Sequence, residues 1–139
     1  MKTAKILMSL FFTGLLMLSF AQTEKAANVV QDQPMVKTAV YYFHMERRCM
    51  TCKTVEAQAK KTLEQLYPEE MKKGNVTFQS VNIEEDSSKP LKEKYGIHGQ
   101  TLLVVKGDKK KDLTSEGFMF AKSDPEKLKA EIEKAIKEL

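Results

Sequence analysis

The sequence predicts an α/β domain: a central mixed sheet of four to five strands with helices on both faces. Three observations carry this. Apolar runs at Lys37–Met45, Val76–Ile83 and Thr101–Lys106 alternate with stretches of helical period. Gly107-Asp108 marks a hairpin after the third run. The C-terminal stretch is amphipathic at helical spacing. A strand–helix–strand unit implies a right-handed crossover and parallel pairing, and the hairpin adds an antiparallel strand. The last helix then covers a face of the sheet.

Each element has its own signal. Residues 22–36 read as a polar linker containing Pro34, with a short strand expected near Val29-Val30 or Val36. Lys37–Met45 has the continuous apolar centre of a strand buried on both sides. From about Cys49 to Tyr67, Cys52, Val55, Ala59, Leu63 and Leu66 recur every three or four residues, and Lys and Glu occupy the other side. Pro68 and Gly74 stop that helix. Val76–Ile83 is rich in strand formers. Ser88 is placed to cap a short helix with Pro90 in its first turn, ending near Tyr95-Gly96. Lys109–Lys111 is read as part of the hairpin turn, and Asp112–Phe120 as a fourth strand interrupted by Gly117. Ser123-Asp124-Pro125-Glu126 reads as a capping box, followed by a helix burying Leu128, Ile132, Ala135, Ile136 and Leu139.

The N-terminus predicts export. Lys2 and Lys5 precede an apolar run from Ile6 to Phe20, and Ser19-Phe20-Ala21 has the small-x-small form of a cleavage site. Residues 1–21 are therefore expected to be a signal peptide, and the location periplasmic or otherwise extracytoplasmic, with no membrane contact after cleavage. Removing 21 residues of 139 leaves 118, and removing two lysines and no acid takes the formal charge from +4 to +2. Acidic and basic residues are interleaved with no basic, aromatic-studded stripe, which argues against nucleic acid as a partner.

Both cysteines of the chain, Cys49 and Cys52, lie two residues apart where the first strand gives way to the first helix. A disulfide this local closes a tiny loop and stabilises little, so reactivity explains the pair better than stapling. Unpaired amides of a helix's first turn favour the thiolate of a cysteine placed there, and low-pKa cysteines occur in such settings. Arg47, Arg48 and Lys53 add positive charge nearby. Cys52 falls on the apolar stripe. Cys49 is thus expected to attack and Cys52 to resolve, through a mixed disulfide with a partner protein. A closed metal site needs four ligands. The chain offers these two cysteines, His44 on a strand and His98 in a loop, and its 8 methionines show no ligand spacing, so no metal or cofactor is expected. Glu46 reads as a surface residue rather than a proton relay for the thiols, and Tyr41, Tyr42, Phe78 and Phe118 as core.

From about Val36 to Leu139 the chain resembles the thioredoxin superfamily. Cys49-Met-Thr-Cys52 takes the place of that family's redox motif. Val81-Asn82-Ile83, Tyr95-Gly96-Ile97-His98-Gly99 and Thr101–Val105 look like its central strand, helix end and following strand. The resemblance implies a thioredoxin-like domain over residues 37–139 and a thiol–disulfide oxidoreductase. Two positions depart from the pattern. Gln100 or Thr101 stands where the family keeps a cis-proline beside the disulfide, and Phe43 stands where thioredoxins keep a buried aspartate. A narrower resemblance, carried by Tyr41–His44, Arg47-Arg48-Cys49, Asn82–Glu85 and Gly117-Phe118, is to small nitrophenyl-compound nitroreductase subunits associated with organoarsenical resistance. It implies electron transfer with a partner, a membrane electron donor included. A third reading is a non-catalytic module that holds metal or a partner with its thiols.

Overall fold

Alternation along β1 (Thr38–His44) sets the architecture. Its side chains point to opposite faces in turn, and both faces are covered: Val40 and Tyr42 belong to one apolar cluster, Tyr41 and Phe43 to another. The computed structural model describes residues 36–139. Along the chain, β1 is followed by α1 (Met50–Leu66), α2 (Pro68–Lys72), β2 (Val76–Asn82), a single turn of 3₁₀ helix at Asp86–Ser88, α3 (Lys89–Tyr95), β3 (Thr101–Lys106), β4 (Lys109–Asp112), α4 (Thr114–Phe120) and α5 (Pro125–Glu138). The expected signal peptide and the possible strand at Val29-Val30 lie outside the described residues. Val36 is exposed and not in a strand. Among the described residues no helix is long and apolar enough to cross a membrane.

The four strands form one sheet in the order β2-β1-β3-β4. β1 runs parallel to β2, with Tyr42 opposite Ser80, and antiparallel to β3, with Tyr42 opposite Leu102. β3 and β4 form the hairpin, turned by Gly107 at φ 60, a left-handed conformation that glycine adopts without a Cβ penalty. The α/β class, the mixed sheet and helices on both faces are as the sequence predicts.

The larger cluster lies between the sheet and α1, α4 and α5. It joins Val40, Tyr42, Leu102 and Val104 of the sheet to Val55, Ala59 and Leu63 of α1 and to Leu128 and Ile132 of α5. The smaller one packs Tyr41, Phe43, Leu103 and Val105 beneath Ile97 and the partly buried Leu91 and Tyr95 of α3.

Four local expectations are corrected. Thr114–Phe120 is helix, not strand: Leu113, Gly117 and Ala121 recur every four residues and all three are buried. Glycine is needed there because a Cβ would sit 3.0 Å from Val55 Cγ1 and 3.4 Å from Leu102 Cδ2. Lys109–Lys111 belongs to β4 rather than the turn; all four β4 residues are exposed, as suits an edge strand guarded by lysines. Asp124, not Ser123, caps α5: its carboxylate accepts from the Lys127 amide at 3.1 Å, while Ser123 Oγ donates back to the Met119 carbonyl. Ser88 precedes α3 but its hydroxyl donates to the Glu85 carbonyl at 2.7 Å instead of accepting from the helix. Pro68 both ends α1 and opens the short α2, where its missing N–H costs nothing.

Candidate functional site

β1 ends at His44, and five residues separate it from α1, the last of them Cys49 as the N-cap. Cys49 has extended backbone (φ −72, ψ 168), and its sulfur accepts from the Cys52 amide at 3.3 Å. Sulfur here takes the place that a hydroxyl or carboxylate oxygen fills in most capped helices. The first turn carries no acidic residue, so no side-chain charge competes for its amides. Cys49 is exposed and Cys52 is 3% exposed, both as free thiols.

The adjacent Cys52 thiol first, and then the Cys52 amide that donates to the Cys49 sulfur, hold the Cys49 pKa below that of a free thiol. Hydrogen bonds to the anionic form favour it. The Cys52 thiol donates to Gln100 Oε1 at 3.2 Å.

The remaining residues singled out by sequence fall as follows. Gln100 immediately precedes β3 and reaches the buried thiol. Thr101 opens β3 opposite Phe43 and its hydroxyl donates to the Gly99 carbonyl at 3.1 Å. No cis peptide occurs among the described residues. Arg48 is engaged by the Glu56 carboxylate, one turn beyond Cys52, and Lys53 is exposed. The forces that lower the Cys49 pKa are the hydrogen bonds above rather than these cations. His44 is buried, with its Nδ1 2.9 Å from the Met45 carbonyl, and His98 is exposed. Glu46 is exposed and its carboxylate accepts from Asn82 Nδ2 at 2.7 Å. Among the described residues no group of three or more His, Cys, Asp or Glu side chains is arranged to hold a metal ion.

Sequence reasoning missed two members of this neighbourhood. Tyr42 was expected in the core, and it is wholly buried, but its hydroxyl lies where the charges of Cys52, Glu56, Cys49 and Arg48 act on it. Glu56 was expected on the solvated side of α1, yet it pairs with Arg48 and is only 23% exposed. Their i, i+4 spacing from Cys52 was the available signal for Glu56; nothing local signalled Tyr42. A separate cleft of about 410 Å³ opens beyond the C-terminal ends of β1 and β2, lined by His44, Glu46, Asn82, Glu85 and Leu91 among others, and neither cysteine lines it.

No family model and no curated protein matches the chain. Among solved structures it is similar to one described as "Structure of a malarial protein", with 17% identity over 71% of this chain and 97% of that chain and a TM-score of 0.45.

Proposed function

We propose that this protein is an exported, thioredoxin-like thiol–disulfide redox protein that exchanges electrons with a partner protein through Cys49 and Cys52. The observation that carries the reading is the unequal placement of the two sulfurs: Cys49 exposed at the cap of α1 with a lowered pKa, Cys52 buried one turn further in. A partner disulfide can reach the first and not the second, and the first is the better nucleophile near neutral pH. The strand order β2-β1-β3-β4, with β1 and β2 parallel and the others antiparallel, supports the thioredoxin-like assignment.

The exchange balances as follows. The Cys49 thiolate attacks one sulfur of a partner disulfide, and the other partner sulfur leaves as a thiolate. Cys52 then loses its proton and attacks the Cys49 sulfur, forming the Cys49–Cys52 bond and releasing the second partner thiolate. The pair is oxidised by two electrons and the partner reduced by two; the reverse sequence oxidises a partner dithiol.

Disulfide reductase activity should vanish in Cys49→Ser, while Cys52→Ser should accumulate a long-lived mixed disulfide visible on non-reducing gels. Equal activity of both variants and the wild type would overturn the reading. Nitroaromatic reduction that appears only with a co-expressed membrane partner, and is lost in Cys49→Ser, would narrow it to the electron-transfer subunit of a nitroreductase system.

A further inference from the structure

One polar group beside the thiols has no satisfied role in the resting protein. The Tyr42 hydroxyl is completely buried and has no hydrogen-bond partner. A buried hydroxyl left without a partner is destabilising, so its retention in the core calls for a state in which it is used. Tyr67 is the other such hydroxyl among the described residues, but it sits at the opposite end of α1.

Topology puts Tyr42 under the start of α1. It points to the same face as Val40 and packs in one cluster with Val55, which follows Cys52 by three residues. Its neighbour across the sheet is Leu102, two residues after Gln100, whose amide oxygen lies 3.2 Å from the Cys52 sulfur. The charged and titratable groups bearing on Tyr42 are Cys52, Glu56, Cys49 and Arg48 from α1 and its approach, and His44, stacked with its ring on β1. The residues that α4 and α5 add to the cluster are apolar. Burial and the thiols hold the phenol well above its ordinary pKa, so it stays protonated and can only donate to a nearby anion.

Building on the redox reading above, we propose that the Tyr42 hydroxyl is the internal hydrogen-bond donor to the Cys52 sulfur during the resolving step. In the resting dithiol the Cys52 proton is directed at Gln100, and Tyr42 is idle. Once Cys49 is in a mixed disulfide, Cys52 must become an anion in a buried place. Its proton is given up to water. The Tyr42 O–H then stabilises the thiolate that attacks the Cys49 sulfur. Gln100 offers an amide oxygen to the neutral thiol, so the neutral and anionic forms of Cys52 have separate partners. In this role Tyr42 is a positioning residue.

The test follows the reaction of reduced full-length mature protein with the chromogenic aromatic disulfide dithiobis-nitrobenzoate by stopped flow. The first nitrothiobenzoate released reports attack by Cys49; the second reports attack by Cys52. Tyr42→Phe is expected to slow the second phase about tenfold at neutral pH and to move its pH midpoint up by about one unit. The thermal midpoint of Tyr42→Phe should equal or exceed that of the wild type, because the variant removes an unpartnered polar atom; a purely structural role would lower it and leave the pH midpoint in place. An unchanged second-phase pH profile in Tyr42→Phe overturns the proposal while leaving the redox reading intact. A wild-type protein that never releases the second nitrothiobenzoate overturns both.

Discussion

The two faces of the sheet differ in more than size. On one, fourteen buried residues from β1, β2, β3, α1, α5 and the two residues flanking α4 form a continuous core. On the other, six buried residues are roofed by α3 and the loops beside it. Adjacent residues of β1 show the contrast. Tyr41 stacks on Phe43 and lies tilted against Tyr95, with ring centroids 5.6 Å apart in each pair, and its hydroxyl bears on that of Tyr95. Tyr42, pointing the other way, is fully buried with a free hydroxyl. Both thiols lie on the heavily packed side. The helix capped by the Cys49 sulfur is held there by close packing of Val55, Ala59 and Leu63 along α1. The thinner face ends in an open polar cleft and carries no thiol.

The contrast can be broken most directly by cutting a hole in each core. Leu63→Ala, on the fully buried seam of α1, should cost about 2–5 kcal/mol by denaturant unfolding. Leu91→Ala on α3, only partly buried, should cost less than half as much, because its site can relax toward solvent. Equal losses would mean that the faces contribute alike.

Next in size is overpacking at the α1–α4 contact. Gly117→Ala gains helix propensity of about 1 kcal/mol. Its new methyl meets Val55 Cγ1 at 3.0 Å, and overpacking costs about 1–3 kcal/mol. A net loss of stability is expected, and a gain would show that α4 can shift away from α1. Smaller again is the cap of α5: Asp124→Ala should cost about 1 kcal/mol, whereas Ser123→Ala should be nearly silent. Chemical denaturation of the two variants side by side decides which residue caps.

The smallest expected effect on stability concerns the thiol-bearing face and is read best by reactivity. Cys49 alkylation by iodoacetamide should titrate with a midpoint below the ~8.5 of a free thiol, and Cys52 should stay unmodified until the protein unfolds. The sign for stability follows from the lowered folded-state pKa. The thiolate of Cys49 favours the fold at pH above the free-thiol value, and that contribution is lost as pH falls through the folded-state midpoint. A midpoint at or above ~8.5 would contradict the hydrogen bonds at the cap.

Local sequence determined a good deal. The three apolar runs became β1, β2 and β3 within a residue or two at each end, because a buried strand must be continuous in apolar, β-forming residues. The stripe from Cys52 to Leu63 and that from Leu128 to Ile136 became α1 and α5 for the same kind of reason at a different period. The pair Cys49 and Cys52, one exposed and one buried, was legible from that stripe alone.

Tertiary structure decided the rest. Gly117, with Phe118 and Phe120 beside it, looks like an interruption of a strand, since glycine disfavours helix and aromatic residues favour sheet. It is helical, and glycine suits it because a Cβ there would meet Val55 at 3.0 Å and Leu102 at 3.4 Å, a closeness no local pattern encodes. The surroundings of Cys52 were equally hidden. Gln100 is 48 residues away along the chain, and Tyr42 lies on a strand whose other aromatic residues pack as ordinary core. Spacing along a helix can announce a pair of thiols. What stands ready to donate or accept a proton beneath them depends on which strand the helix lands on, and that is set by packing across the sheet.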